Sequence, residues 1–330
     1  MRKLSIGIGY RGDNVDAMLR EAKLMDDSGV DTLVVAETWG HDAFTPLTLI
    51  AHATKRVKLA TAIVNIFSRS PAALAQHFAT LDQLSGGRAV IGLGTSGPNV
   101  IEHFHGVKFE KPFTRTREYV EIINRLIRME KLDYQGEVYK LSRGFTLRFE
   151  TLRTHIPIFI ASITPKSVQQ TAAIADGWLP IFLPRARWKE QLAAFHGAVQ
   201  KAGRKPEDVV VRCPYSVTVT NDPAAAAAAR RANAAFYIAR MGNFYYEHFV
   251  RMGYADAANA VRKAWAEGGS AAGAAALPDA LVDELGFAGP VEACCEALDA
   301  AHEAGFPLLS AAVVERDPDR RAQIYRKLVG

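Results

Sequence analysis

The stretch Ala89-Val90-Ile91-Gly92-Leu93-Gly94-Thr95-Ser96-Gly97-Pro98 decides how this chain is read. Its apolar run of β-branched and small residues has the composition of a buried strand. The run breaks at Gly92 and Gly94, where backbone can approach a neighbour or a ligand with no Cβ in the way. It ends in Thr95, Ser96 and Gly97, whose hydroxyls and amide suit a phosphate or a polar ring edge. A plain strand-to-helix turn uses the same residue types, so the surroundings must narrow the choice.

Upstream, short strand patterns at 4–10, 32–38 and 58–64 alternate with helical patterns at 15–28, 44–54 and 71–84. Gly29 closes the first helix, Pro71 opens the third, and Gly86 and Gly87 stop it. A helix at 115–129 follows the quoted strand, completing four β-α units in a row. Downstream, strands are read at 157–163, 178–183, 209–219 and 307–314, with helices at 165–175, 187–201, 291–304 and 317–328. Eight strands, each adjoining a helix, predict an α/β fold, a (β/α)8 TIM barrel whose active site lies at the carboxyl ends of the strands. A single domain over residues 1–330 is expected. It carries insertions near 131–155, read as an irregular hairpin, and 224–285, read as alanine-rich helices broken at Gly268, Gly269 and Ser270.

The 330 residues are 49% hydrophobic, enough for one large core or two smaller ones. Cys213, Cys294 and Cys295 form neither a disulfide framework nor a spaced metal quartet, which fits a reducing cytoplasm. The apolar stretch after the basic start is too short for a signal peptide, and no run of 18 apolar residues is long enough for a membrane span. The formal charge of +5 is dispersed, favouring an anionic cofactor or small-molecule substrate over nucleic acid. Large apolar helix faces suit a homodimer. His103 and His105 have the spacing of a metal pair but lack a third ligand, so no metal is expected.

Five segments in this order carry a resemblance: ETWGHDAFT at 37–45, LATAIVNIFSRSP at 59–71, LDQLSGGR at 81–88, GLGTSGP at 92–98 and TAAIADGW at 171–178. The chain resembles the luciferase-like flavin and deazaflavin oxidoreductases from Ile6 to its final helix. Thr95 to Pro98, with Pro112 to Tyr119, look most like the branch that uses the deazaflavin coenzyme F420. The resemblance implies hydride transfer between F420 and a small organic substrate. The alternative is an FMN-dependent monooxygenase using reduced flavin and O2, and a barrel that binds ligand without turnover is a third reading.

The same resemblance implies site residues. A non-prolyl cis peptide at Ala62-Ile63 would make a bulge that supports the coenzyme ring. Asn65 would follow it into the mouth and offer its amide to the ring, against the plainer reading of a turn former. Glu37 and Thr38 end the second strand, where Glu37 would be a proton donor or a polar group near the reacting carbon. The competing account makes Glu37 a buried acid paired with an arginine, and Asp42 is read as a helix cap. Gly94, Thr95, Ser96 and Gly97 would take the coenzyme's polar edge or phosphate. Ala161, Ser162, Ile163 and Thr164, with Lys166 as counter-charge, repeat an amide-rich helix start. Asp176 and Gly177 are placed near the ring, with a turn-setting role. Lys108, Lys111, Arg115 and Arg117 are rim cations for an anionic coenzyme tail. The aromatic segment 236–248 is read as a lid.

Overall fold

The structure, a computed structural model, describes residues 1–10, 12 and 14–330. It divides into two compact units: an amino-terminal one of residues 6–161 and 170–178, and a carboxyl-terminal one of residues 1–5, 162–169 and 179–330.

The chain begins with β1 (Leu4–Gly7), α1 (Val15–Asp27), β2 (Thr32–Val35), α2 (Phe44–Ala53), β3 (Lys58–Thr61), the two-residue β4 (Val64–Asn65) and α3 (Pro71–Ser85). Then come β5 (Ala89–Gly94), α4 (Pro98–His103) and α5 (Pro112–Ile127). The predicted hairpin is β6 (Leu132–Gln135) with β7 (Lys140–Phe145), and it leads to β8 (Ile158–Ala161), α6 (Pro165–Ile174) and β9 (Gly177–Leu179). The remainder is α7 (Trp188–Lys201), β10 (Val210–Val219), α8 (Pro223–Arg240), α9 (Asn243–Arg251), α10 (Ala255–Ala275), α11 (Asp279–Glu284), β11 (Gly286–Gly289), α12 (Val291–Glu303), β12 (Leu308–Val313) and α13 (Pro318–Val329).

The strand order is β11-β10-β12-β1-β2-β3-β5-β8-β9, with β10 also pairing β9, so the eight predicted strands form the ring of a (β/α)8 barrel. β5 is buried along its whole length, as its unbroken apolar run requires. Helix starts follow local chemistry. Asn14 and Ser70 accept the Ala17 and Ala73 N–H groups, and Gly86, at φ 69°, ends α3 in the left-handed conformation open to glycine. Gly269, with φ 75° and ψ −161°, interrupts α10 where the sequence shows its glycine pair.

The strand β11 is absent from the sequence reading. Its four residues, Gly-Phe-Ala-Gly, have no strand signature, and tertiary pairing creates it: Gly286 lies opposite Ser216 on β10. A Cβ on Gly286 would stand 2.7 Å from the Ser216 carbonyl oxygen, so this backbone approach needs glycine. Gly197, inside α7, is the opposite case, since a Cβ there meets nothing within 4 Å. Gly197→Ala is therefore expected to stabilise the protein by about 0.5–1 kcal/mol, read as a raised urea midpoint.

At the amino ends of the strands, buried charge joins the elements. The Asp26 carboxylate accepts N–H groups of Lys55, Arg56 and Val57 at 2.7, 3.0 and 2.7 Å. The Arg88 guanidinium donates to the carbonyls of Ala51, Thr54, Val57 and Ser85. Burial pushes that guanidinium below its ordinary pKa.

Candidate functional site

Pairing along β5 shows how the quoted stretch works. Ala60 pairs Val90 and Val64 pairs Leu93, so four residues of the β3–β4 segment span three of β5, and one extra residue bulges at Ala62 and Ile63. The Thr61 hydroxyl donates to the Gly92 carbonyl at 2.8 Å and accepts the Gly92 N–H at 2.9 Å, satisfying the backbone that the bulge leaves unpaired. The Ala62 N–H donates to the Val35 carbonyl at 2.8 Å.

The cis peptide expected at Ala62-Ile63 is corrected: no described peptide bond is cis. The extra residue and the Thr61 side chain make the bulge with trans bonds, the form favoured by about 2.5–4 kcal/mol outside proline. The Ile63 side chain lies over Gly94, where a Cβ would come within 2.8 Å of Cδ1. Gly92 and Gly94 thus serve first to let two pieces of this chain approach each other.

Glu37 follows β2 and is held as an ion pair. Arg69 Nη1 and Nη2 meet its two carboxylate oxygens at 2.5 and 3.0 Å, and the Ala43 N–H donates to it at 2.9 Å. Of the two readings, the structure shows the arginine-paired acid, and three donors hold its carboxylate in one orientation. Arg69 also stacks over Phe44 at 5.3 Å, and the Tyr119 hydroxyl donates to its carbonyl. Burial and the Arg69 cation push the neighbouring His77 imidazole below its ordinary pKa. Asp42 accepts the Thr45 N–H at 2.9 Å at the start of α2, as a cap does. Thr38 is exposed on the loop after β2, and His41 of that loop meets Tyr10, which follows β1, in a tilted contact with ring centroids 5.0 Å apart.

Asn65 ends β4 and is buried. Its Oδ1 accepts the N–H groups of Phe67 and Ser68 at 3.0 and 2.7 Å, the turn-forming use, while Nδ2 lies 3.2 Å from His105 Nε2. Beyond it, Phe67 stacks on Phe109 at 5.1 Å and carries the Arg115 guanidinium at 4.7 Å. Arg115 also donates to the Tyr139 hydroxyl at 2.6 Å, so it is built into an aromatic stack. The other rim cations pair locally, Lys108 with Glu110, Lys111 with Glu137 and Arg117 with Glu121. Ser68 Oγ and Arg115 Nε are both buried with no hydrogen-bond partner. Thr95, Ser96 and Gly97 follow β5, with Ser96 at φ 56° and the Thr95 hydroxyl donating to the Ser96 carbonyl at 3.0 Å.

Asp176 and Gly177 are a second correction. Asp176 directly precedes β9 and Gly177 is its first residue; they lie against Ile158 and Phe159, which begin β8, at the amino end of these strands and away from the carboxyl ends. The Asp176 carboxylate accepts the Ile158 N–H at 2.7 Å and pairs with His155 at 3.0 Å. A Cβ on Gly177 would come 2.5 Å from the Phe159 ring, so this glycine serves strand packing. The Asp176 hydrogen bond raises the His155 pKa above its ordinary value. A raised folded pKa stabilises fully below the unfolded value near 6.5 and loses that contribution as pH rises through the folded value. His155→Gln should therefore cost more stability at pH 6 than at pH 8.5. The difference in urea midpoints should amount to less than about 1 kcal/mol, because the pair is part-exposed.

In the carboxyl-terminal unit, Ser162 is buried, and Ile163 and Thr164 lead into α6. Thr164 Oγ1 accepts the Ser167 N–H at 3.3 Å, the helix-cap use of this residue, and Lys166 is exposed. From α9, His248 Nε2 sits 2.9 Å from the Phe182 carbonyl, and the Phe182, Tyr237, Tyr245 and Phe249 rings pack together. The predicted lid aromatics are thus largely a helix-packing core. Ala161 ends β8 in the amino-terminal unit.

Sequence reasoning missed Arg69 and the use of His105. Arg69 is 32 residues from Glu37, and His105 is 40 from Asn65, so no local pattern marks either pair. The competing reading of Glu37 was the only signal that an arginine partner should be sought.

Comparison with known proteins places these features in a family. The sequence model described as luciferase-like monooxygenase matches residues 3–307. A Mycobacterium tuberculosis protein named putative coenzyme F420-dependent oxidoreductase is 37% identical over 314 residues, covering 88% of this chain and 89% of that one. The 5,10-methylenetetrahydromethanopterin reductase of Archaeoglobus fulgidus is 30% identical, covering 86% and 85%. Among solved structures, the coenzyme F420 dependent tetrahydromethanopterin reductase of Methanopyrus kandleri superposes with a TM-score of 0.82 at 20% identity, covering 99% of this chain and 98% of that one. No helix of the described residues is long and apolar enough to cross a membrane. The family model spans most of the chain and both sequence relatives are matched over most of their length: the chain belongs to the luciferase-like monooxygenase family.

Proposed function

We propose that this protein is a coenzyme F420-dependent oxidoreductase, moving a hydride between the deazaflavin and a small organic substrate at the carboxyl ends of its strands. The observation that carries the reading is the 37% identity, over most of both chains, with a protein named for that coenzyme. Residues of the amino-terminal unit fit such a group. Ser68 Oγ and Arg115 Nε are buried without partners, and both suit a ligand bearing acceptor oxygens. A Cβ at Gly7, the last residue of β1, or at Gly9 just beyond it meets nothing within 4 Å, leaving open space at the carboxyl end of that strand.

When bound, the deazaflavin would supply a carbon-centred hydride donor or acceptor that reacts poorly with oxygen. The chain's own residues supply shape and polarity. The Ala62-Ile63 bulge offers an apolar shelf, and the loop of Thr95, Ser96 and Gly97 offers amides and hydroxyls. Ser162, Ile163, Thr164 and Lys166 are proposed as anion contacts. Glu37 is a positioning residue, its carboxylate and Arg69 joining the loops after β2 and β4. Free cysteines throughout support the proposed cytoplasmic location, and a homodimer remains part of the proposal on the strength of the apolar helix faces.

Titration with F420 and, separately, FMN, followed by tryptophan quenching, tests the reading. F420 is expected to bind at least tenfold more tightly. The reverse order would move the chain to reduced-FMN monooxygenase chemistry, and binding of neither would remove the cofactor assignment.

A further inference from the structure

The sequence resemblance gave Asn65 the task of meeting the coenzyme ring, but the Asn65 amide is already committed. Its Oδ1 accepts two backbone N–H groups, at 3.0 Å from Phe67 and 2.7 Å from Ser68, and this fixes which end of the amide is oxygen. Reversing the amide would set an NH2 against two N–H donors. Nδ2 must therefore face His105 Nε2, 3.2 Å away, and Nδ2 can only donate. The imidazole nitrogen that receives it has to be an acceptor, so the ring proton sits on Nδ1.

We propose that His105, with Asn65 as its positioning residue, is the hydrogen-bond donor that this site presents to an acceptor oxygen or nitrogen on the edge of the deazaflavin ring. The proposal rests on the F420 reading above. His105 is half-buried, its backbone N–H donates to the Val100 carbonyl at 3.2 Å, and among the described residues the hydrogen bonding of its imidazole is confined to Asn65. Its Nδ1 is not among the buried polar atoms without partners, so that N–H keeps access to solvent. The edge-to-face contact with Phe104, 4.9 Å between centroids, restrains the ring plane. Two supports, one polar and one aromatic, thus aim a single N–H of defined tautomer. A donor held in this way meets a carbonyl at less entropic cost than a mobile side chain.

The test pairs a spectroscopic readout with binding. Nitrogen-15 NMR of the uniformly labelled protein should show His105 protonated at Nδ1. In Asn65→Asp, which keeps an acceptor for Phe67 and Ser68 but turns the donor into an acceptor, the proton should move to Nε2 or occupy both nitrogens. In parallel, F420 titration should give about tenfold weaker binding for His105→Phe, which removes one hydrogen bond but keeps a ring. His105→Asn, whose amide nitrogen can stand in for Nδ1, should stay within about threefold of the parent. A proton on Nε2 in the parent protein, or His105→Phe binding F420 as the parent does, overturns the inference. Failure of the parent itself to bind F420 overturns the coenzyme reading instead, and the ring assignment with it, leaving NMR to decide only the Asn65–His105 tautomer.

Discussion

Gly92→Ala should lower stability by about 3 kcal/mol or more and remove coenzyme binding together with it. An alanine Cβ would lie 2.0 Å from the Thr61 carbonyl oxygen, 2.9 Å from its carbon and 3.0 Å from the Ala62 carbonyl oxygen. All three are backbone atoms, which cannot rotate away as a side-chain end can. Moving them breaks both bonds between Thr61 Oγ1 and the Gly92 backbone and shifts the bulge where Val64 and Leu93 resume pairing. Overpacking in a well-filled interior usually costs about 1–3 kcal/mol, and rigid contacts put this site at or beyond the upper end. Gly94→Ala provides the internal comparison. Its nearest contact, at 2.8 Å, is Cδ1 of Ile63, a terminal methyl that can change rotamer, so its cost should be distinctly smaller. Urea midpoints of the two variants, with F420 titration of each, make the measurement. Equal, small losses would mean that the bulge yields, and with it the account of why glycine stands at position 92.

Asp82→Ala is the second large effect expected, about 3 kcal/mol of stability. The Asp82 carboxylate is 1% exposed and lies in α3, where it accepts the Ala89 N–H at 3.1 Å and both Arg153 donors at 3.0 and 2.7 Å. Arg153 in turn donates to the Ala89 carbonyl at 2.6 Å. One acid therefore fastens the last turn of α3, the first residue of β5 and the chain ahead of β8. Removing one member of a buried pair leaves the other charge uncompensated, a loss of about 3–5 kcal/mol when both are enclosed. The guanidinium here keeps some solvent access, its side chain being 32% exposed, which favours the lower end. Asp82→Asn, which retains an acceptor for Ala89 and Arg153 but not the charge, should lose about half as much. A full-size loss in Asp82→Asn would show that charge, not hydrogen bonding, holds the junction.

The family resemblance was legible because its carriers are local: glycines inside an apolar strand, prolines at helix starts, and strand and helix periods that alternate eight times. Those features act within a few residues of one another and survive in a one-dimensional reading. The order of the elements then followed from the preference of parallel strands for helical crossovers. Side-chain roles were less legible. Glu37 was read as a proton donor or as an arginine's partner, and only Arg69 at 2.5 Å selects the second. Asn65 was read as a ring contact or a turn former, and the N–H groups of Phe67 and Ser68 select the turn. The resemblance places Asp176 near the ring, but its carboxylate accepts the N–H of Ile158, the first residue of β8, which puts it at the amino end of that strand.

By itself, then, the sequence determined the succession of strands and helices, the (β/α)8 class and the positions where backbone must come close. Each of these depends on backbone propensity and on apolar spacing along the chain. Tertiary structure alone decided which polar groups meet: the trans bulge held by Thr61, the Asn65–His105 contact, the Glu37–Arg69 pair and the strand at Gly286–Gly289. A hydrogen bond or ion pair is decided by distances of a few ångströms between residues that lie, in these cases, about 30 or more positions apart. No local pattern encodes that distance until the backbone has closed around it.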